Sequence, residues 1–194
     1  VSEAPLGDSA PPPAAPAPAL KPAGIRIRRL AAREWPAYRA LRLRSLLDAP
    51  DAFGSSHAAE EAWAHELWMA RLSAASVSGR DCPLVAEAEA GTEGAMLGLL
   101  WAKCDAADAG IVNLFQMWVT PEARGLGVAS ALLDEAVAWA RTIGAHLVQL
   151  GVVTGNQSAL QLYLRHGFSK TGEPAPIRPG SALLEQRMQL QLAP

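Results

Sequence analysis

The chain has 194 residues, half of them hydrophobic and 19% charged, enough to bury the core of one ordinary domain but not of two comfortable ones. Seventeen Lys and Arg against nineteen Asp and Glu leave a formal charge of −2, which argues against a nucleic-acid partner because phosphate binding draws on a basic surplus. No apolar run approaches the roughly 18 residues of a membrane span, and Cys82 and Cys104 stand apart without a CxxC or a nearby His pair, so no metal is expected.

Residues 1–24 hold seven Pro and seven Ala with no apolar period, and are expected to form a disordered, polyproline-like tail. They also lack the basic and apolar regions of a secretory signal, so the expected location is cytoplasmic. One domain is expected over 25–192. Ile25–Arg28 alternates like a first strand. From 32 to 47, Trp35, Tyr38, Leu41 and Leu46 recur at helical spacing, with Pro36 tolerable in the first turn. A turn-rich loop, 48–56, leads to a second helix at 58–73, where Trp63, Leu67 and Trp68 share a face. Two strands, 84–89 and 95–103, flank a short glycine-containing hairpin loop at 90–94. Further elements are a strand at 111–119, a helix at 126–143 stopped by Gly144, a strand at 146–153, a helix at 158–166 stopped by Gly167, and strands at 168–173 and 183–191. The order β-α-α-β-β-β-α-β-α-β-β implies an α/β fold with a mixed sheet and helices against its faces.

The chemistry concentrates between Leu114 and Leu133. A strand ends at Val119, Thr120-Pro121-Glu122 turns the chain, and Arg124-Gly125-Leu126-Gly127-Val128-Ala129-Ser130 opens a helix. Glycines let the backbone curl and a ligand approach its amides. The first helical turn leaves N–H groups without partners, and its dipole favours an anion. With the charge of Arg124 added, this is a cradle for phosphate or pyrophosphate. A Walker site is excluded because no Gly-Lys-Ser/Thr follows. The spacing Gly125-x-Gly127-x-x-Ser130 approaches a dinucleotide fingerprint. However, five residues separate it from its strand, and Leu147-Val-Gln-Leu150 offers no acid for a ribose.

A second motif, Asn156-x-x-Ala159-x-x-x-Tyr163-x-x-x-Gly167-Phe168, follows about thirty residues later. Together with Arg124-x-x-Gly127-x-Ala129 it closely resembles the GCN5-related N-acetyltransferase (GNAT) superfamily, strongly over 110–170 and by element order over 25–192. The stretch Tyr38–Ser56 is similar to one found in small bacterial members. The resemblance implies a mixed, mostly antiparallel six- to seven-stranded sheet with helices on both faces, the acyl-CoA N-acyltransferase fold. It also implies acetyl-CoA and an amine acceptor as partners, and leaves a homodimer open.

By the same resemblance, Gly125 to Ser130 would hold the pyrophosphate through main-chain amides, with Arg124 beside them. Met117, Trp118 and Val119 would meet the acetyl-pantetheine arm by main-chain bonds where two central strands splay. Asn156 would lie along that arm or cap its helix, and Tyr163 would protonate the departing thiolate. Many members carry a glutamate base on one of the splayed strands. Here Asn113–Val119 has no acid and the matching position of the later strand is Gly151. A base would then come from the acceptor side, with Asp48, Asp51, His57, Glu60 and Glu61 as candidates, or water would carry the proton, or the amine would arrive neutral. The resulting expectation is direct acetyl transfer from acetyl-CoA to a primary amine of a small molecule, amino acid or peptide. The alternatives are a different acyl group or acceptor, or an acyl-CoA sensor without turnover.

Overall fold

The computed structural model describes residues 24–88 and 95–193. The expected tail (Gly24 excepted) and the hairpin loop at 90–94 lie outside the described residues. The strands are β1 (Ile25–Arg29), β2 (Asp81–Ala88), β3 (Met96–Cys104), β4 (Ile111–Val119), β5 (Leu147–Val153), β6 (Ser169–Pro176) and β7 (Leu184–Gln191). The α-helices are α1 (Trp35–Asp48), α2 (His57–Glu61), α3 (His65–Val77), α4 (Val128–Thr142) and α5 (Gln157–Arg165). Among the described residues no helix is long and apolar enough to cross a membrane.

The strands form one sheet in the order β1-β2-β3-β4-β5-β7-β6, antiparallel except where β4 meets β5. Alternation along the strands sends side chains to two cores. Leu100, Val112, Leu114, Val148, Leu150 and Met188 pack under α4, against Ala131, Leu132 and Leu133. On the opposite face Val85, Leu99, Trp101 and Trp118 pack with Tyr38 and Leu46 of α1 and Trp68 and Leu72 of α3. A buried leucine on α4 such as Leu132 contributes about 1.5–3 kcal/mol by leaving water.

The helix expected at 58–73 is two helices. Ala64 is extended (ψ 152°) and starts α3, so the chain breaks between α2 and α3. The break lets Trp63 turn onto Trp68 (centroids 5.0 Å apart) while α2 carries Glu60 inward to Arg42 of α1. Both partners of that ion pair are buried, with side chains 3% exposed and Nη2 to Oε1 at 2.7 Å.

Two irregularities in β4 position the site. Leu99 pairs with Trp118 and Trp101 with Phe115, so Gln116 and Met117 together oppose Leu100. This is a bulge, and Gln116 sits at φ 58°, a conformation unusual for a side-chain-bearing residue. The Tyr38 hydroxyl donates to Gln116 Oε1 at 2.9 Å and holds the bulge from α1. The bulge also swaps faces: Leu114 lies in the α4 core, as does Val119, while Trp118 lies in the other. On its other edge β4 pairs with β5 only at Ile111–Leu147, Val112–Val148 and Asn113–Gln149. Beyond those three pairs the strands separate.

Candidate active site

A cavity of about 1100 Å³ opens where β4 and β5 part, and runs from the start of α4 to the loop after α1. Its floor is the last rung. Gln149 Nε2 donates to Asn113 Oδ1 (2.9 Å), and Asn113 Nδ2 donates to Asp105 Oδ2 (3.1 Å). Beyond Asn113 the edge of β4 that faces β5 has no strand partner; Arg124 Nε takes the Val119 carbonyl, and the remaining peptide groups of that edge are open to a ligand in extended conformation.

At one end the cavity reaches the start of α4. Gly125 and Gly127 sit at φ 77° and 81°, which an L side chain adopts only with strain. Gly127 is the N-cap of α4 and supplies no side-chain cap, so the amides of Val128, Ala129 and Ser130 face outward at the positive end of a fifteen-residue helix. No acidic side chain occupies that first turn. The arrangement suits a pyrophosphate, which needs donors and positive potential but no bulk.

Met117, Trp118, Val119, Arg124, Gly125, Gly127, Val128, Ala129, Ser130, Asn156 and Tyr163 all line this one cavity. Leu126 does not; its side chain points to solvent, 57% exposed. The side chains of Trp118 and Val119 are buried in opposite cores, and the Trp118 carbonyl faces Gly98 of β3. Arg124 is engaged differently from its expected role beside the phosphates. Its Nε donates to the Val119 carbonyl (3.2 Å), and its Nη2 pairs with Asp48 at the end of α1. Asp48 also accepts from Trp118 Nε1 at 2.8 Å. The Trp118 hydrogen bond and the Arg124 guanidinium hold the Asp48 carboxyl below its ordinary range. One carboxylate thus ties α1, β4 and the phosphate cradle together.

Asn156 caps α5, its Oδ1 accepting from the Ala159 amide at 3.0 Å. Two turns on, Tyr163 is 6% exposed, its ring 5.9 Å from Phe168, and the Phe168 amide donates to the Tyr163 carbonyl at 3.0 Å. Burial pushes its phenol up to about 12. It is therefore protonated at neutral pH and able to donate.

The loop after α1 forms one wall through Ala49, Ala52, Phe53 and Gly54. Its carboxylates are less available than the sequence implies. Glu60 is buried against Arg42, and Glu61 pairs with His57 across one turn of α2 (3.4 Å). Of Asp48, Asp51, His57, Glu60 and Glu61, Asp48 alone lines the cavity. The opposite wall carries residues that sequence reasoning missed, Glu185 and Arg187 of β7. Between the two walls, Arg178 Nη1 donates to the Phe53 carbonyl at 3.2 Å and joins the loop before β7 to the loop after α1. The available signal was Gly151 itself, a strand position without a side chain beside which a neighbour's long side chain has room.

A sheet that splits between two parallel strands, over the uncapped start of a helix, defines the acyl-CoA N-acyltransferase class of fold. The sequence model of the Acetyltransferase (GNAT) family matches residues 34–168, and the chain belongs to that family. Among solved structures, a GNAT-family acetyltransferase from Streptococcus pneumoniae is 26% identical with a TM-score of 0.71, covering 87% of this chain and 99% of that one. The YncA structure from Salmonella typhimurium, solved with its cofactor acetyl-CoA, is 20% identical with a TM-score of 0.71, covering 88% and 95%. The mycothiol acetyltransferase of Paenarthrobacter aurescens is 35% identical over 79 residues, 39% of this chain and 24% of that protein. The chain spans about a quarter of the length of the curated relatives it matches.

Proposed function

We propose that residues 25–192 form an acetyl-CoA-dependent N-acetyltransferase domain that passes acetyl directly to a primary amine of a small molecule, amino acid or peptide. The observation that carries the reading is the cleft itself. It joins an uncapped helix start, unpaired β4 peptide groups and a buried phenol in one continuous cavity. The amides of α4 would bind the pyrophosphate, and Arg124 would add charge once released from Asp48. Main-chain groups of Met117 to Val119 would hold the acetyl-pantetheine arm in line with Asn156.

Tyr163 would give its proton to the departing sulfur. An exposed thiol near 8.5 would make that transfer uphill by about 3.5 pKa units from a phenol at about 12. A thiol that stays in a dry cleft is a stronger base, because burial disfavours the thiolate. That narrows the gap, and the transfer is feasible as the C–S bond breaks.

The test is thiol release from acetyl-CoA with a panel of primary amines, using the wild type and Tyr163→Phe. The variant should lose about 10²–10⁴-fold in kcat with acetyl-CoA affinity retained. Unchanged turnover would return Tyr163 to a packing role.

A further inference from the structure

We infer that Glu185, on β7, is the catalytic base for the amine, reaching into the cleft over Gly151 in place of an acid on β4 or β5. The inference rests on the N-acetyltransferase reading above and names the residue that completes it. Strand register places it. Gly151 pairs with Arg187 and Val153 with Glu185, so Glu185 lies diagonally across from Gly151. All four point away from the α4 core, which takes Val152 and Met188 instead.

The carboxylate lies directly above Gly151. A Cβ built on that glycine would collide with Glu185 Oε2 and would fall 2.7 Å from Cδ and 3.1 Å from Oε1. Gly151 has no positive φ to explain a glycine there. Its missing side chain is the space that the carboxylate fills. Among the described residues no hydrogen bond or ion pair engages that carboxylate, although it lines the cavity together with Tyr163, Asn156 and the unpaired edge of β4. Among the described residues it is the one carboxylate lining the cavity that has no such partner, since Asp48 and Asp105 are both hydrogen-bonded.

The proton balance then closes. The neutral amine forms its C–N bond to the acetyl carbon and its nitrogen becomes acidic. The Glu185 carboxylate takes the surplus proton from nitrogen. The C–S bond breaks, its electron pair stays on sulfur, and sulfur takes a proton from Tyr163. Water then returns the proton on Glu185 to the Tyr163 phenolate, and both groups are restored.

Thiol release is measured for wild type, Glu185→Gln and Glu185→Ala with spermine, free lysine and a peptide bearing an N-terminal alanine. Acetyl-CoA affinity is measured separately by calorimetry. With the amine that the wild type acetylates best, Glu185→Gln should lower kcat by about 10²-fold or more while KM and acetyl-CoA affinity stay within about threefold. Glu185→Ala leaves a carboxylate-sized space over Gly151, and added formate should raise its kcat about tenfold or more. A side chain that only packs would give no such rescue. Wild-type kcat in Glu185→Gln, or no response to formate in a Glu185→Ala protein that still binds acetyl-CoA, overturns the assignment of Glu185 alone. No wild-type thiol release with any of the three amines overturns the amine-acetylation reading, and the assignment with it.

Discussion

Replacing Glu60 with Gln removes one charge from the pair buried between α1 and α2. Arg42 donates from Nη2 and Nε to the two Glu60 oxygens at 2.7 and 3.0 Å, and both side chains are out of water. Breaking such a pair costs about 3–5 kcal/mol, because the remaining ion is stranded in a poor dielectric. Gln keeps one acceptor, and a retained hydrogen bond offsets about 1 kcal/mol, leaving a loss of about 3 kcal/mol. For a chain of this size each kcal/mol is worth about 2–4 °C, so Tm should fall by about 6–12 °C in a calorimetric or denaturation experiment. A drop of less than about 2 °C would mean that the pair is solvated and the argument from burial fails. Replacing both residues with Met should recover much of the loss, since two apolar side chains leave no orphaned charge. The effect should also reach the site. Arg42 lies 4.5 Å from the centroid of Phe53, which lines the cavity, so Glu60→Gln should raise the KM of the amine while acetyl-CoA affinity holds.

Gly127→Asp would put a side chain and a negative charge among the α4 amides, and coenzyme A affinity measured by calorimetry should fall at least about tenfold, or about 1.4 kcal/mol; unchanged binding in a folded variant would remove the cradle from the site. Asp48→Asn tests the tie between α1, β4 and the cradle through pH. The Asp48 carboxyl is depressed in the folded protein by Trp118 and Arg124, so its contribution is full above the ordinary carboxylate range and is lost as pH falls through the depressed value. Wild type should therefore melt above the variant at neutral pH, with the gap closing in acid; a gap independent of pH would refute an electrostatic role.

Local chemistry explains what was legible in the sequence. β4 and the cradle follow from a mostly apolar stretch ended by Pro121 and two glycines, and α5 follows from Asn156 at its start and Gly167 at its end. The break before α3 was hidden because Trp63 and Trp68 fit one helical face as easily as two packed helices. The bulge at Gln116 carries no Gly or Pro to announce it. Its support is a hydroxyl 78 residues away in sequence, on Tyr38. Arg124 was read from its motif, but not its partner Asp48, which only the packing of α1 brings near. Gly151 signals room for a neighbour's side chain but does not name Glu185 as that neighbour: β7 inserts between β5 and β6, so its register against Gly151 exists only in the folded sheet.

Three residue pairs between β4 and β5 give a seven-stranded sheet a very short spine. Past Gln149 the two leaves present donors and acceptors to each other across a gap too wide to bridge directly. Under the reading proposed above, a pantetheine arm, which carries amides of its own, would enter that gap as an extra strand, and its binding energy would count toward the cohesion of the whole sheet, not only toward occupancy of one pocket. At a hundredfold excess over Kd that amounts to about 2.7 kcal/mol. Slowed hydrogen exchange should follow at the facing amides of β4. On that reading the sheet would be completed by the molecule it works on.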